Sequence, residues 1–332
     1  MYEKYYGLKE RPFQLTPSLN LFYASKLHKR ALAYLQYGLS QGEGFIVITG
    51  DVGTGKTTIA NQLLSQLNQD EIIAKQIVTS KLEPDDLIRM IASCFNLVVT
   101  EHTKASYLDA IYNFLKRLHA QHRRALLLVD EAQNLPLASI EELRMLSNFQ
   151  LNGKPLLQSF LLGQNELNAI IQAENMEQFR QRIIASSNLS AFQLEDTKAY
   201  VQYRLQQAGG DKALLEDDCY QLVQQYSRGI PRKINTFMDR VLLFGYLEEC
   251  PKMTATHVRT VLEELSKEIA NQAPVAPATS QPPAATTSQN VMLNEFTAAL
   301  DSAIEQKIRM AKELDALLKR QQQLLNSRDK NE

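Results

Sequence analysis

The chain has 332 residues, enough for two compact units, and 44% of its residues are apolar, enough to build real hydrophobic cores. Its 36 basic and 37 acidic side chains give a net charge of -1, which argues against a general electrostatic attraction to nucleic acid or anionic lipid. The three widely spaced cysteines, the polar N-terminus and the lack of any long apolar window exclude a disulfide framework, a signal peptide and a membrane-spanning helix. We therefore expect a soluble, cytoplasmic protein.

Apolar, strand-forming runs alternate with helical stretches up to residue 194. Alternation of this kind predicts an α/β fold in which helices flank both faces of a parallel five-stranded sheet. After residue 194 the strand signal stops, and four segments with helical spacing predict a helical subdomain behind the sheet domain. The predicted strands are 45–49, 71–78, 125–130, 156–163 and 187–194.

The C-terminal part of the sequence has a different composition. Residues 271–290 contain four prolines and no charge, which predicts a disordered linker. Residues 291–326 place apolar side chains at eight of ten heptad seam positions and predict an amphipathic or coiled-coil helix. Such a helix docks on its own domain, self-associates, or binds a partner protein or membrane surface, and the pattern leaves all three open. The predicted division is an N-terminal segment at 1–42, an α/β domain at 43–194, a helical lid at 195–270, the linker and this helix.

The run FIVITGDVGTGKTTIA at residues 45–60 joins a strand to a helix through a glycine-rich loop. Glycines allow backbone N–H groups to surround a phosphate, and the following helix N-terminus favours negative charge there. The lysine reaches the β- and γ-phosphates and the next hydroxyl binds Mg²⁺. The spacing therefore predicts a nucleotide site. Its residues are Gly50, Asp51, Val52, Gly53, Thr54, Gly55, Lys56, Thr57 and Thr58.

A second motif, LLLVDEAQNL, completes the predicted metal site. Four apolar residues bring the strand to its carboxyl end, where Asp130 is placed to bind Mg²⁺ and Glu131 to orient or deprotonate the attacking water. A second carboxylate has a role only when water is the nucleophile. The Asp-Glu pair therefore favours a hydrolase over a kinase.

Five further polar residues are candidates for contact with the phosphates. Gln164 and Asn165 directly follow the fourth predicted strand, and we favour Gln164 as the residue that binds the γ-phosphate or its water. Arg180 and Arg182 lie at the end of a predicted helix, and Arg232 lies at the start of another. A single exposed arginine is typical of solvated surface, so the prediction depends on the order of all these motifs along the chain.

In that order the motifs resemble an AAA+ ATPase, a branch of the P-loop NTPases, and specifically the ExeA/GspA-type ATPases of bacterial secretion and pilus systems. The resemblance covers about residues 1–270 and rests on YYGLKERPFQLTPSLNLFYAS, GEGFIVITGDVGTGKTT, LLLVDEAQNL, LLGQNEL, FRQRI and GIPRKIN. The sequence looks most like the short MshM-type members, which are associated with the mannose-sensitive haemagglutinin pilus, a type IV pilus. Long members continue into a transmembrane helix and a peptidoglycan-binding domain, and this sequence departs from them after residue 270.

The resemblance implies ATP and Mg²⁺ as cofactors and gives the residues roles. Thr57 and Asp130 would hold Mg²⁺, Glu131 the water, Gln164 the sensor position and Arg232 the sensor of the lid. Arg182, or failing that Arg180, would be an arginine finger offered to the neighbouring subunit. A homo-oligomer, with a ring as one candidate form, follows from that role. The implied partners are pilus or secretion apparatus proteins, and peripheral association with the inner membrane stays open.

Two other function classes remain. The same AAA+ branch resembles helper ATPases of transposition, which coat DNA, and the best local basic segment is KRLHAQHRR at 116–124. On a near-neutral chain this segment is better interpreted as the solvated end of a helix, so the sequence does not favour nucleic acid binding. The third class is a regulatory switch that binds ATP and turns over slowly.

Overall fold

The structure is a computed structural model, which describes residues 1–16, 20–79 and 81–272. The predicted helix at 291–326 and the predicted linker after residue 272 lie outside these residues, whereas residues 271 and 272 end a helix instead of beginning a linker. The chain divides into two compact units, Met1–Val261 and Leu262–Glu332. All elements of the sheet and of the site described below belong to the first unit, and the five-part division stays a prediction.

A parallel five-stranded sheet with the order β2-β3-β6-β1-β7 forms the centre of the first unit. A short antiparallel pair, β4 and β5, lies outside this sheet. The predicted fold class is therefore confirmed. The strands are β1 at Phe45–Gly50, β2 at Ile72–Val78, β3 at Arg124–Asp130, β4 at Gln150–Leu151, β5 at Lys154–Pro155, β6 at Leu157–Gly163 and β7 at Ile183–Leu189.

The last strand of the sheet differs from its predicted position. The prediction was 187–194, whereas β7 runs from Ile183 to Leu189. The prediction extended too far because the apolar residues beyond Leu189 have other roles: Phe192 is buried against a cavity, and Leu194 begins a helix.

Helices surround the sheet and then follow it along the chain. The last four match the four helical segments expected after residue 194. Pro231 starts one of them at the first helical position, where its missing N–H costs nothing. The helices are α1 at Tyr2–Tyr5, α2 at Lys26–Gln41, α3 at Lys56–Gln66, α4 at Pro84–Cys94, α5 at Lys104–Ala120, α6 at Leu137–Leu146, α7 at Glu166–Gln172, α8 at Glu177–Arg180, α9 at Leu194–Gln207, α10 at Asp217–Ser227, α11 at Pro231–Leu247 and α12 at Ala255–Gln272.

The central strands are buried on both faces. In β1, Phe45 and Val47 pack into the hydrophobic cluster on one face, and Ile46 and Ile48 pack into the cluster on the other. Residues of β3 and β6 alternate in the same way. A strand covered on both faces has no polar side to display, and this explains the uninterrupted apolar runs of the sequence.

The topology brings the predicted motifs to one edge of the sheet. β6 lies between β3 and β1 and is parallel to both, so the residues at or just after the carboxyl ends of these strands lie side by side. Those residues are Asp130, Gln164 and the loop that begins at Gly50. Ligands of open α/β sheets bind outside the carboxyl ends of the strands. Within the described part of the chain, no helix is long and apolar enough to cross a membrane.

Candidate active site

The glycine-rich loop is packed tightly between two other segments. Gly53 has a φ of +84°, and a Cβ there would lie 2.6 Å from the Cβ of Arg232. Gly55 has a φ of +99°, and a Cβ there would lie 3.0 Å from Nε2 of His28. Both positions require glycine for its left-handed backbone and for the space that a side chain would fill. The spacing of glycines therefore reflects the packing of this loop as well as its affinity for phosphate.

Lys56 begins helix α3 and is buried at the base of the loop. Its Nζ donates hydrogen bonds to the carbonyl oxygens of Gly50 at 2.8 Å and Asp51 at 3.0 Å. Burial lowers the pKa of the Lys56 ammonium, while the carboxylates of Glu131 and Asp130 act in the opposite direction. The loop and the two acidic residues therefore surround one cation, as expected of a phosphate site.

The two predicted Mg²⁺ ligands touch each other. Thr57 Oγ1 donates a hydrogen bond to Oδ2 of Asp130 at 2.8 Å, although the residues are 73 positions apart in the chain. Asp130 is buried, and its Oδ1 accepts the backbone N–H of Glu131 at 2.9 Å. A hydroxyl beside a carboxylate is a donor set that suits Mg²⁺, which binds oxygen and is commonly held by one or two carboxylates together with substrate phosphates.

Glu131 lies at the turn after β3 with a left-handed φ of 56°. Its Oε2 accepts hydrogen bonds from Nε2 of Gln133 at 2.7 Å and from Nε2 of Gln164 at 3.4 Å. Gln133 also accepts the backbone N–H of Gln164 at 2.9 Å through its Oε1. The three side chains form a small network that fixes the orientation of the Glu131 carboxylate. Gln133 was not predicted, since nothing in its sequence position separates it from a surface residue.

The two amide residues after β6 have different contacts. Gln164 points its amide at Glu131, whereas Asn165 donates from Nδ2 to Oδ1 of Asp51 in the phosphate loop at 2.6 Å. The structure thus brings Gln164 to the predicted water-activating residue and Asn165 to the loop. The sequence pattern favoured Gln164 as the phosphate sensor, and that role stays a prediction.

The three candidate arginines have different contacts, and only one of them lies at the phosphate loop. The backbone N–H of Arg232 donates to the carbonyl of Gly53 at 3.2 Å, and Arg232 lines the cavity above the loop. Arg180 donates from Nη1 to the carbonyls of Ile171 and Ala173. Arg182, by contrast, contacts the Ser147 hydroxyl at 3.2 Å. Neither Arg180 nor Arg182 lines the cavity, so the structure brings only Arg232 to the loop of the same chain.

A cavity of about 370 Å³ opens beside the phosphate loop. Part of its lining is the loop with Glu131 and Arg232, and another part is largely aromatic. The hydroxyl of Tyr200 donates to Oδ1 of Asn235 at 2.7 Å, which fixes that wall. These residues were not predicted, although the aromatic run LFYAS near the N-terminus was a signal. The aromatic part of the lining and its surroundings comprise Gln14, Leu15, Thr16, Leu21, Phe22, Tyr23, His28, Phe192, Tyr200, Arg204 and Asn235.

His28 connects helix α2 to the phosphate loop and was also not predicted. Its Nε2 lies 3.1 Å from the carbonyl oxygen of Thr54, and its Nδ1 lies 2.8 Å from Oγ of Ser25. Because a carbonyl only accepts, Nε2 bears the proton, and in the neutral ring Nδ1 accepts from the Ser25 hydroxyl. Burial lowers the pKa of His28 from its ordinary value of 6.5. The imidazole therefore stays neutral at pH values at which an exposed histidine is already charged.

This burial predicts a stability that falls in mild acid. Below about pH 6.5 the unfolded chain protonates His28, whereas the folded protein does so only at lower pH, so protons favour unfolding. We expect the free energy of unfolding to fall between pH 7.5 and pH 5.5, and to fall less in His28→Asn. Urea unfolding at both pH values measures the difference. Exposed His102→Asn is the control, and an identical pH response in His28→Asn and the parent protein would contradict the assignment.

The sheet order, the glycine-rich loop and the Thr57–Asp130 contact define the class: the fold is that of a P-loop NTPase. Residues 39–171 match the family model described as "AAA domain". The chain is also 37% identical over 267 residues to "General secretion pathway protein A" of Aeromonas hydrophila. That match covers 80% of this chain but 49% of the relative, so the chain spans about half the length of that protein.

Solved structures give the same fold. The ORC2 protein of Aeropyrum pernix in its ADP form superposes with a TM-score of 0.59 at 15% identity, covering 77% of this chain and 73% of its own. The Cdc6p protein of Pyrobaculum aerophilum superposes with a TM-score of 0.60 at 17% identity, covering 79% of this chain and 74% of its own. At such low identity the similarity establishes the fold alone.

Proposed function

We propose that the protein is an AAA+ ATPase of the ExeA/GspA type that binds Mg²⁺-ATP and hydrolyses it. The observation on which this depends is the contact of Thr57 with Asp130, with Glu131 beside it and Lys56 at the base of the loop. A phosphate loop alone is compatible with nucleotide binding without hydrolysis, or with transfer of the phosphoryl group to an acceptor other than water. The neighbouring Glu131, held by two amides, supplies the group needed to activate water.

In this proposal residues 50–58 hold the phosphates, and Lys56 exchanges its carbonyl contacts for the β- and γ-phosphate oxygens. Thr57 and Asp130 would hold Mg²⁺, which neutralises negative charge on the phosphate oxygens. Glu131 takes a proton from the attacking water. Because Gln133 and Gln164 both donate to its Oε2, we assign Oε1 as the oxygen that faces the water.

The proposal includes assembly into a homo-oligomer, because neither arginine before β7 lines the cavity of its own chain. β7 is an edge strand, so the segment that precedes it lies at the margin of the sheet. Arg180 is engaged by two carbonyls at 2.9 and 2.7 Å, whereas Arg182 makes longer contacts with Ser147 at 3.2 and 3.5 Å. Arg182 is therefore the side chain that moves more readily to a neighbour's nucleotide, and we assign it as the finger.

The cellular role we propose is support of a secretion apparatus or type IV pilus of the MSHA type. It is supported by the 37% identity to a protein named for the general secretion pathway. Partner proteins of the apparatus, peripheral location at the inner membrane and a partner-binding role for residues 291–326 belong to the same proposal.

Phosphate release from ATP, measured alone and with duplex DNA, tests this function. We expect Mg²⁺-dependent turnover that increases with protein concentration through the range of assembly and is unchanged by DNA. Strong stimulation by DNA would favour a helper ATPase of transposition. Very slow turnover at every protein concentration would favour a regulatory switch. Either result would contradict the proposed function.

A further inference from the structure

Arg204 is a buried cation at the cavity whose hydrogen-bonding capacity is only partly used. The residue is 6% exposed and lies on α9. Its Nε donates to the carbonyl of Leu21 at 3.1 Å, and its guanidinium lies 5.3 Å from the ring centre of Tyr200. Nη1 is shielded from solvent and has no hydrogen-bond partner among the described residues. None of the ion pairs found among those residues involves Arg204.

Such an arrangement is costly unless a ligand completes it. Leaving some donors of a buried charged group without hydrogen-bond partners is unfavourable. A guanidinium has only donors, so the missing partner is an acceptor atom. Because Arg204 lines the cavity, a molecule bound there can supply an acceptor to those guanidinium donors that are open to the cavity.

The position of Arg204 indicates which end of the ligand it meets. The phosphate loop contacts Arg232 at the start of α11 through the carbonyl of Gly53. Asn235, about one turn further along α11, accepts a hydrogen bond from Tyr200. Arg204 lies about one further turn along α9. Arg204 therefore lies beside Tyr200, among the aromatic residues that line the cavity.

The chemistry of the aromatic part of the cavity lining suits a flat heterocycle. Tyr23, Phe192 and Tyr200 pack edge-on or tilted against one another and line the cavity together with Arg204. Stacking on aromatic rings favours a nucleobase over a phosphate or a sugar. Purines present ring nitrogens as acceptors at their edges, as adenine does with N7 and N3.

We propose that Arg204 donates a hydrogen bond to a ring nitrogen of the purine base of the bound nucleotide, and so determines its position and affinity. The proposal rests on nucleotide binding at the phosphate loop, as proposed above. It adds a base-recognition residue that none of the sequence motifs includes.

Deaza analogues of ATP test the contact, because each replaces one ring nitrogen with C–H. Equilibrium binding of ATP, 1-deaza-ATP, 3-deaza-ATP and 7-deaza-ATP is measured on the parent protein and on Arg204→Met. One analogue should bind the parent about 10-fold or more weakly than ATP, the scale of one hydrogen bond to a charged group. In Arg204→Met that analogue and ATP should bind equally, and ATP itself should bind about 10-fold or more weakly than to the parent.

The control variant is Arg259→Met, which removes an exposed arginine on α12 and should retain the preference of the parent protein. Equal binding of all four nucleotides to the parent would overturn the proposal, even if Arg204→Met did not fold. A preference that survives in Arg204→Met would also overturn it. Weaker binding of 2′-deoxy-ATP than of ATP to the parent, if this difference disappeared in Arg204→Met, would overturn it as well, because the contact would then be to the ribose.

A failure of the proposed nucleotide binding at the phosphate loop would give a different set of results. If no nucleotide bound the parent protein, or if Lys56→Ala bound ATP as well as the parent does, nucleotide binding at the phosphate loop would be wrong. Normal ATP binding that depends on Lys56 but not on Arg204 would exclude only the contact of Arg204 with the base. Arg204→Lys, which keeps the charge but shortens the reach of the donor, should show an intermediate preference if the contact exists.

Discussion

Arg182→Ala should bind ATP nearly as well as the parent protein and turn it over about 10³-fold or more slowly, the scale seen when an arginine finger is absent. The physical reason is that a finger supplies positive charge only where negative charge develops in the transition state. Arg182 does not line the cavity of its own chain, so its removal leaves ground-state binding largely intact. Nucleotide binding and steady-state phosphate release, measured on the same samples, separate the two effects.

Complementation distinguishes a shared site from a local structural defect. A mixture of Arg182→Ala and Lys56→Ala protein contains some interfaces with an intact loop from one chain and an intact finger from the other. Its activity should exceed that of either variant alone. Arg180→Ala is the control, because Arg180 holds the carbonyls at the end of α7 within its own chain. If the mixture stayed inactive while both variants co-assembled, or if Arg180→Ala alone gave the large defect, the assignment of Arg182 would be wrong.

Glu131→Gln should retain ATP binding and lose turnover by about 10²- to 10⁴-fold, the contribution of a positioned general base. The amide keeps the shape of the side chain, but it cannot take a proton from water. Lys56→Ala should instead lose binding, because its ammonium is the cation of the phosphate loop. Isothermal titration with ATP and phosphate release measure both quantities.

Glu166→Gln is the matched control for Glu131→Gln. The Glu166 carboxylate is close enough to raise the pKa of Lys56, yet it does not line the cavity. A general electrostatic effect on the site would therefore slow both variants to a similar extent. Only Glu131→Gln should show the large loss, and parental turnover in that variant would exclude Glu131 as the base.

The central strands and the phosphate loop were predictable because their signals are local. β1 and β3 are buried on both faces, so they appear in the sequence as continuous apolar runs. The loop and the Asp-Glu pair lie at the carboxyl ends of these strands, and the parallel sheet, with β6 between β1 and β3, brings those ends to one edge. The contact of Thr57 with Asp130 is a consequence of that arrangement.

β7 was harder to place because it is an edge strand with polar side chains. Ser186, Ser187 and Asn188 interrupt its apolar pattern, whereas Phe192 beyond it belongs to the cavity wall. The sequence therefore favoured a strand that started and ended too late. Apolar character indicates burial, but it does not distinguish burial in a sheet from burial beside a ligand.

The residues missed at the site depend on contacts between distant parts of the chain. His28 reaches Thr54 across 26 positions, and Arg204 reaches Leu21 across 183. A lone histidine or arginine in a helical segment has many ordinary roles, so its spacing gives no indication of such a partner. Gln133 is close to Glu131 in sequence, but its second contact, with Gln164, depends on the neighbouring strand.

Phosphate release from ATP by the purified parent protein, with Mg²⁺ and then with excess EDTA, tests the central claim most directly. The arrangement of Thr57, Asp130 and Glu131 beside the phosphate loop predicts steady turnover with Mg²⁺ and its loss in EDTA, while the protein remains folded by circular dichroism. Turnover that persisted in EDTA, or ATP bound but never hydrolysed at any protein concentration, would contradict the proposal that this site is a Mg²⁺-dependent ATPase.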